Sequence, residues 1–133
     1  MVTDRVGDFI IRLQNAALIG KSEVVAPYSA HLVAIAKKLK ELGFIEKVDV
    51  SSKDDEVKKT FVSVLAFDGQ GTPRLRGVKR ISKPGRRLYT PHTGAHRVKG
   101  GTGARIISSS VGIISDSEAR KNRFGGEELF EIW

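Results

Sequence analysis

Residues 67–76 read "FDGQGTPRLR", and the reading of the whole chain turns on this stretch. Its glycines, proline and small polar residues from Asp68 to Pro73 have the composition of a connector, because these residue types favour turns over regular elements. The charge balance changes at the same place. Met1 to Asp68 holds ten Lys or Arg against ten Asp or Glu, so the other 13 bases and 5 acids carry the entire net charge of +8. Residues 69–115 contain no acid, yet Arg74, Arg76, Lys79, Arg80, Lys83, Arg86, Arg87, Arg97, Lys99 and Arg105 all fall there. These two changes predict two small domains, 1–70 and 71–133.

Upstream of the connector, apolar residues recur at helical spacing in Val6, Ile10, Leu13 and Ala17, with Thr3 as the expected N-cap and Gly20 as the stop. Glu23–Ala26 reads as a short extended piece. Ser29 is placed to cap a second helix whose Leu32, Ile35, Leu39 and Leu42 form one stripe ending at Gly43. Two strands, Phe44–Val50 and Val57–Phe67, follow as a hairpin, giving the order α-β-α-β-β. Downstream, short strands are expected at Leu75–Ile81, Arg87–Thr90, Ala104–Ser108, Gly112–Ile114 and Glu128–Trp133. One short helix fits between the last two, because Ser115 with Glu118 three residues later is a capping box and Gly125-Gly126 ends the run. The fold class expected is therefore α+β, with a C-terminal domain that is mostly β.

Composition narrows the chemistry. At 133 residues and 40% hydrophobic content the chain buries one modest core or two small ones. With no cysteine there is neither a disulfide framework nor a thiolate metal site, and a reducing, cytoplasmic setting is the expectation. No apolar run reaches the ~20 residues of a membrane span, and the N-terminus lacks the features of a secretion signal. A pI near 10.0 with an acid-free stretch is the footprint of a polyanion partner. Leu75, Val78, Ile81, Leu88, Ile106 and Ile107 are interleaved with the bases, as in a folded sheet. A membrane surface would call for a basic amphipathic helix instead.

The catalytic motifs fail one by one. "NAALIGKS" at 15–22 resembles the end of a phosphate-binding loop but has Asn15 for the first glycine and a helix where a strand is needed. Gly101-Thr102-Gly103-Ala104-Arg105-Ile106 starts like a dinucleotide fingerprint and then has isoleucine for the third glycine. His92 and His96 stand four apart beside Pro91 and Gly94, with no third ligand near, so no metal site is expected. No cofactor and no small-molecule substrate are implied.

The block "ARIISSSVGIIS" at 104–115 raises a sharper question. Ser108, Ser109 and Ser110 either end a strand and begin a turn or present hydroxyls to a ligand, and alternation would put Ser108 and Ser110 on one face. A nucleophile reading, hence a small serine hydrolase, lacks both the glycine elbow and an acid to orient a histidine. Small hydroxyls amid bases suit phosphate, base edges and the ribose 2′-OH, which marks RNA. A regulatory RNA- or DNA-binding protein stays open on these features.

Taken together, "RISKPGRRLY" at 80–89, "GARIISSSVGIISDSEAR" at 103–120 and "FGGEELFEIW" at 124–133 resemble the C-terminal half of small-subunit ribosomal protein number eight in its bacterial form. "DRVGDFIIRLQNA" at 4–16 and "PYSAHLVAIAKKLKELGFI" at 27–45 resemble its N-terminal half. The resemblance implies a non-catalytic protein that binds the central domain of small-subunit ribosomal RNA early in assembly, at an irregular stem with bulged bases. It also implies neighbouring small-subunit ribosomal proteins as partners and, commonly, repression of its own operon messenger.

Carried over by position, the family's Ser-Thr-Ser falls on Ser108, Ser109 and Ser110, with serine in place of the middle threonine. Its Gly-Gly-Glu falls on Gly125, Gly126 and Glu127, where the carboxylate would accept from a base amino group. Tyr89 takes the position of an aromatic that either stacks on RNA or packs in the core. Arg80, Lys83, Arg86 and Arg87 would supply salt-dependent affinity, and Arg12 and Asn15 secondary contacts. The chain departs from the pattern at Arg5, where the family has proline, and at Gln14, where it has arginine. "TPHTGAHRVKGG" at 90–101 departs as well, with His92 and His96.

Overall fold

The computed structural model describes residues 4–50, 60–90 and 103–133. By its contacts the chain divides into two compact units, Phe9–Arg76 and Met1–Asp8 with Gly77–Trp133. The α+β class expected from the sequence is what the chain adopts: three helices and two antiparallel sheets among the described residues.

Helix α1 (Arg5–Ile19) is capped by Asp4, whose Oδ1 accepts from the Gly7 amide at 3.0 Å. That is the role expected of Thr3, which lies outside the described residues. The helix buries Phe9, Ile10, Leu13 and Ala16 on one face, as the i, i+4 spacing requires. Then come β1 (Glu23–Pro27), α2 (Ala30–Glu41), β2 (Ile45–Val50) and β3 (Thr60–Leu65), with sheet order β1-β3-β2. Ser29 occupies the N-cap of α2 as expected, but its hydroxyl makes no capping bond. Gly43, at φ 91°, turns the chain out of the helix in a conformation that costs other residues more. Strands β1 and β3 alternate in burial, and Phe9 meets Phe61 with ring centroids 5.4 Å apart.

The stretch 67–76 forms a closed turn within this unit. Phe67 bridges Pro73, and the Asp68 carboxylate accepts from the amides of Gln70 at 2.8 Å and Thr72 at 2.9 Å. The Thr72 and Gln70 amides hold that carboxyl below its usual range. The connector is thus an ordered hairpin, closed by its own aspartate.

The other unit is a five-stranded antiparallel sheet of β4 (Val78–Arg80), β5 (Tyr89–Thr90), β6 (Ala104–Ser109), β7 (Gly112–Ser115) and β8 (Gly126–Ile132), with α3 (Asp116–Asn122) between the last two. Strand β8 is central: β6 lies along one edge, and β4 and β5 share the other at successive positions. Ile107, Ile114 and Ala119 form a buried cluster with Phe124 packed against it, which seats α3 on the sheet. Helix α3 starts at Asp116, directly after the Ser115 cap expected from the sequence, with Ser115 Oγ accepting from the Glu118 amide at 3.4 Å. It ends at Arg123 in the left-handed conformation, φ 60°, before the glycines expected to stop it.

Two features hold β6 and β8 in register. The pairing skips Leu129, so Ile106 faces Phe130 while Ile107 faces Glu128. At the end of the ladder, a Cβ placed on Gly126 would lie 2.3 Å from the Ser108 carbonyl oxygen, so only glycine fits. Buried ion pairs complete the sheet. Arg105 donates to Glu128 at 2.9 Å and to Glu131, while its amide donates to Asp116, which in turn accepts from Arg120 at 2.9 Å. Burial alone would depress the Arg105 guanidinium. The hydrogen bond to Glu131 and the charges of Glu128 and Glu131 outweigh it and raise the pKa above its ordinary value. Arg105 therefore belongs to the fold, although the sequence placed it in the polyanion footprint.

Replacing Gly126 by alanine should force β8 away from β6. A loss of about 1–3 kcal/mol is expected from such overpacking, read as a shifted urea midpoint. Asp4 generates a pH-dependent term. Its hydrogen bond with Arg80 is the main cause of a carboxyl pKa below the ordinary value, so its contribution is full above the unfolded-state value and is lost as the pH falls through the folded one. Asp4→Asn should therefore lower the melting temperature at neutral pH, by a stability loss of up to about 1 kcal/mol given its partial exposure. The gap to wild type should close in acid.

Candidate nucleic-acid interface

The site begins with the turn Lys83-Pro84-Gly85-Arg86, where Pro84 presets the backbone. Lys83 and Arg86 exchange both backbone bonds at 2.9 Å and so stand opposite each other. Ser82, buried between them and β8, clamps the turn: its hydroxyl donates to the Leu88 carbonyl at 3.1 Å and accepts from the Leu88 amide at 2.9 Å. The backbone of Ile81 and Ser82 then bonds to Leu129 and Glu128, and the Glu128 amide bonds to Leu88. Ser82 is a positioning residue that sequence reasoning missed. Its only signal is a small polar residue between Ile81 and Lys83 where the strand pattern has no outward position to give it.

From the turn the chain enters β5, and the register aligns Tyr89 with Glu127, and Glu127 with Ser108. Because cross-strand partners share a face, these three residues form one row about 10 Å across, two interstrand spacings. The skipped Leu129 brings Glu127 into that row. Tyr89 is 72% exposed, so its ring is outside the core and its face is open to a stacking partner. Glu127 is nearly enclosed, with a side chain 16% exposed, and accepts from Arg87 Nη1 at 3.0 Å.

The serines divide by role. Strand β6 ends at Ser109, which pairs with Gly112 across a two-residue turn, so the alternation expected to unite Ser108 and Ser110 stops one residue short. Ser109 Oγ donates to the Gly112 carbonyl at 2.9 Å and accepts from the Val111 amide at 3.3 Å, both within the turn. Ser108 lies in the ladder beside Glu127, and Ser110 is exposed at the tip next to exposed Val111. Gly126 is required by the Ser108 backbone, a packing reason that stands independently of any ligand.

The bases also divide. Arg80 is bonded to the Asp4 carboxylate and the Ser82 carbonyl, and its side chain is 16% exposed. Arg87 pairs with Glu127, and Arg105 is buried. Lys79, Lys83 and Arg86 are exposed and pair with no carboxylate among the described residues. The acids that neutralise this stretch, Asp4, Glu127, Glu128 and Glu131, all come from outside it in sequence. Arg12 and Asn15 belong to the Phe9–Arg76 unit, where they line a concavity of about 360 Å³ beside β1. There Arg12 Nη1 donates to the Val25 carbonyl at 3.1 Å. His92, His96, Arg97 and Lys99 lie outside the described residues. Among the described residues no group of His, Cys, Asp and Glu could hold a metal ion, and no helix is long and apolar enough to cross a membrane.

The comparisons with known proteins agree with the motifs. A family model described as Ribosomal protein S8 matches residues 4–133. The chain is 41% identical over 133 residues to "Small ribosomal subunit protein uS8" of Nitratidesulfovibrio vulgaris, covering 100% of both chains. It is 38% identical to the protein of that name from Sorangium cellulosum, again over 100% of both. To that of Trichormus variabilis it is 39% identical, over 98% of this chain and 97% of the relative. With a match that runs from Asp4 to the terminal Trp133 and takes in both units, the chain belongs to the ribosomal protein S8 family.

Proposed function

We propose that the chain is a structural protein of the small ribosomal subunit that binds the central domain of the small-subunit ribosomal RNA at an irregular stem with bulged bases. It does so early in assembly, in the cytoplasm, beside neighbouring small-subunit proteins, and it represses its own operon messenger through a similar stem. The observation that carries the reading is the row Tyr89–Glu127–Ser108, set between the exposed bases of the Lys83–Arg86 turn and the exposed hydroxyl of Ser110. An aromatic face, a carboxylate acceptor and small hydroxyls suit unstacked bases and 2′-hydroxyls, and Lys83 and Arg86 suit the phosphates between them. Ser109 supports the reading indirectly by shaping the turn. Its two internal bonds also speak against a nucleophile, since the hydroxyl proton goes to a backbone carbonyl.

The test is a titration of the full chain against the central-domain stem and against an uninterrupted duplex of equal length, over a range of salt. Tighter binding to the stem is expected, with log K falling by roughly 0.7–0.9 per neutralised phosphate for each tenfold rise in salt. Lys83→Ala should weaken both RNAs alike and reduce the salt slope by about 1. Ser110→Ala should weaken the stem alone. Equal loss on both RNAs for Ser110→Ala would remove the serines from specific recognition, and equal affinity of the wild type for both would overturn the reading.

A further inference from the structure

We infer that Arg87 is a positioning residue: its guanidinium holds the Glu127 carboxylate so that the remaining oxygen, Oε1, accepts from a base amino group of the RNA. The inference rests on the RNA-binding reading above and assigns Arg87 a different task from its neighbours Lys83 and Arg86.

The geometry separates these bases. Arg87 Nη1 donates to Glu127 Oε2 at 3.0 Å, while Oε1 has no hydrogen-bond partner among the described residues. A guanidinium presents its donors in a planar fork, so a carboxylate bonded to it loses rotational freedom that a solvated one keeps. The row leaves that carboxylate little room, since Tyr89 and Ser108 flank Glu127 and its side chain is mostly enclosed. The pair also answers an electrostatic difficulty. A bare carboxylate beside phosphates would repel every RNA, whereas one neutralised by Arg87 repels little and still rejects a base edge without a donor. The contact with Glu127 at 3.0 Å sets Arg87 apart from bases that face solvent without a carboxylate. Lys83 and Arg86 are exposed without a carboxylate partner among the described residues, so the phosphate role falls to them.

A double-mutant cycle tests this, with the stem and the uninterrupted duplex as probes and the ratio of their dissociation constants as the readout. Arg87→Ala should reduce that ratio about tenfold in the wild-type background, the size of a coupling between contacting charges, and less than twofold when Glu127 is already Gln. Arg87→Lys, which keeps the charge and loses the fork, should preserve duplex affinity and recover only part of the ratio. Melting curves identify any variant whose fold is lost, and Arg87→Lys then carries the comparison. If Arg87→Ala instead weakens stem and duplex equally, by the same factor with Glu127 or Gln present, Arg87 is a phosphate contact and the inference is wrong. A wild type that does not distinguish stem from duplex defeats the RNA reading itself, and the inference with it. A wild type that discriminates, combined with an additive cycle, defeats the inference alone.

Discussion

The close approach of β8 to β6 at Gly126 is the contact on which the C-terminal unit depends. The Ser108 carbonyl occupies the space where any side chain at 126 would stand, so the strands meet with backbone against backbone. That contact fixes the end of a ladder whose phase was reset by the extra residue Leu129, and the phase decides which side chains share a face. With the phase as it is, Glu127 joins Tyr89 and Ser108. A slip of one residue would turn Glu127 to the opposite face and leave a tyrosine and a serine with no acceptor between them.

The same strand gathers the charges. Its Glu127, Glu128 and Glu131 take up Arg87 and Arg105, and Asp4 takes up Arg80 from the edge strand β4. A stretch that is strongly basic when read along the sequence is therefore partly neutralised in space, by acids that lie far from it in the chain. The exposed, unneutralised bases are fewer than composition implies, and Lys83 and Arg86 stand at a turn held from within by Ser82. In the proposed RNA-binding reading, affinity comes from a small set of residues next to the row, so that charge and selectivity act on the same short length of RNA.

The helices and most strands were legible in the sequence because apolar spacing and turn residues report local geometry, as in the stripe of Leu32, Ile35 and Leu39. The serine block and Gly-Gly-Glu stand out as a candidate site through their resemblance to a known family. What pattern could not supply was register. Ser109 reads as the equal of its neighbours until Gly112 is found opposite it, and Arg87 reads as one base among ten until Glu127 is found beside it. Tyr89 suits stacking and core packing equally in the sequence, and its exposure places the ring outside the core. Gly126 enters the candidate site only by resemblance, whereas the neighbouring strand already requires the glycine. The Thr3 cap and the Gly125-Gly126 stop were displaced by a residue or two, to Asp4 and Arg123, since several nearby residues satisfy the same local rule and the packing of the whole chooses among them.

The central claim is that one surface, the row and its two flanking turns, reads the RNA. Amide shift mapping tests it most directly, with the isotope-labelled full chain titrated by the central-domain stem. The account predicts that the largest shifts cluster at Lys83 to Tyr89, Ser108 to Val111, and Gly126 with Glu127. Shifts confined to Phe9–Arg76, or spread evenly over every exposed lysine and arginine, would contradict it.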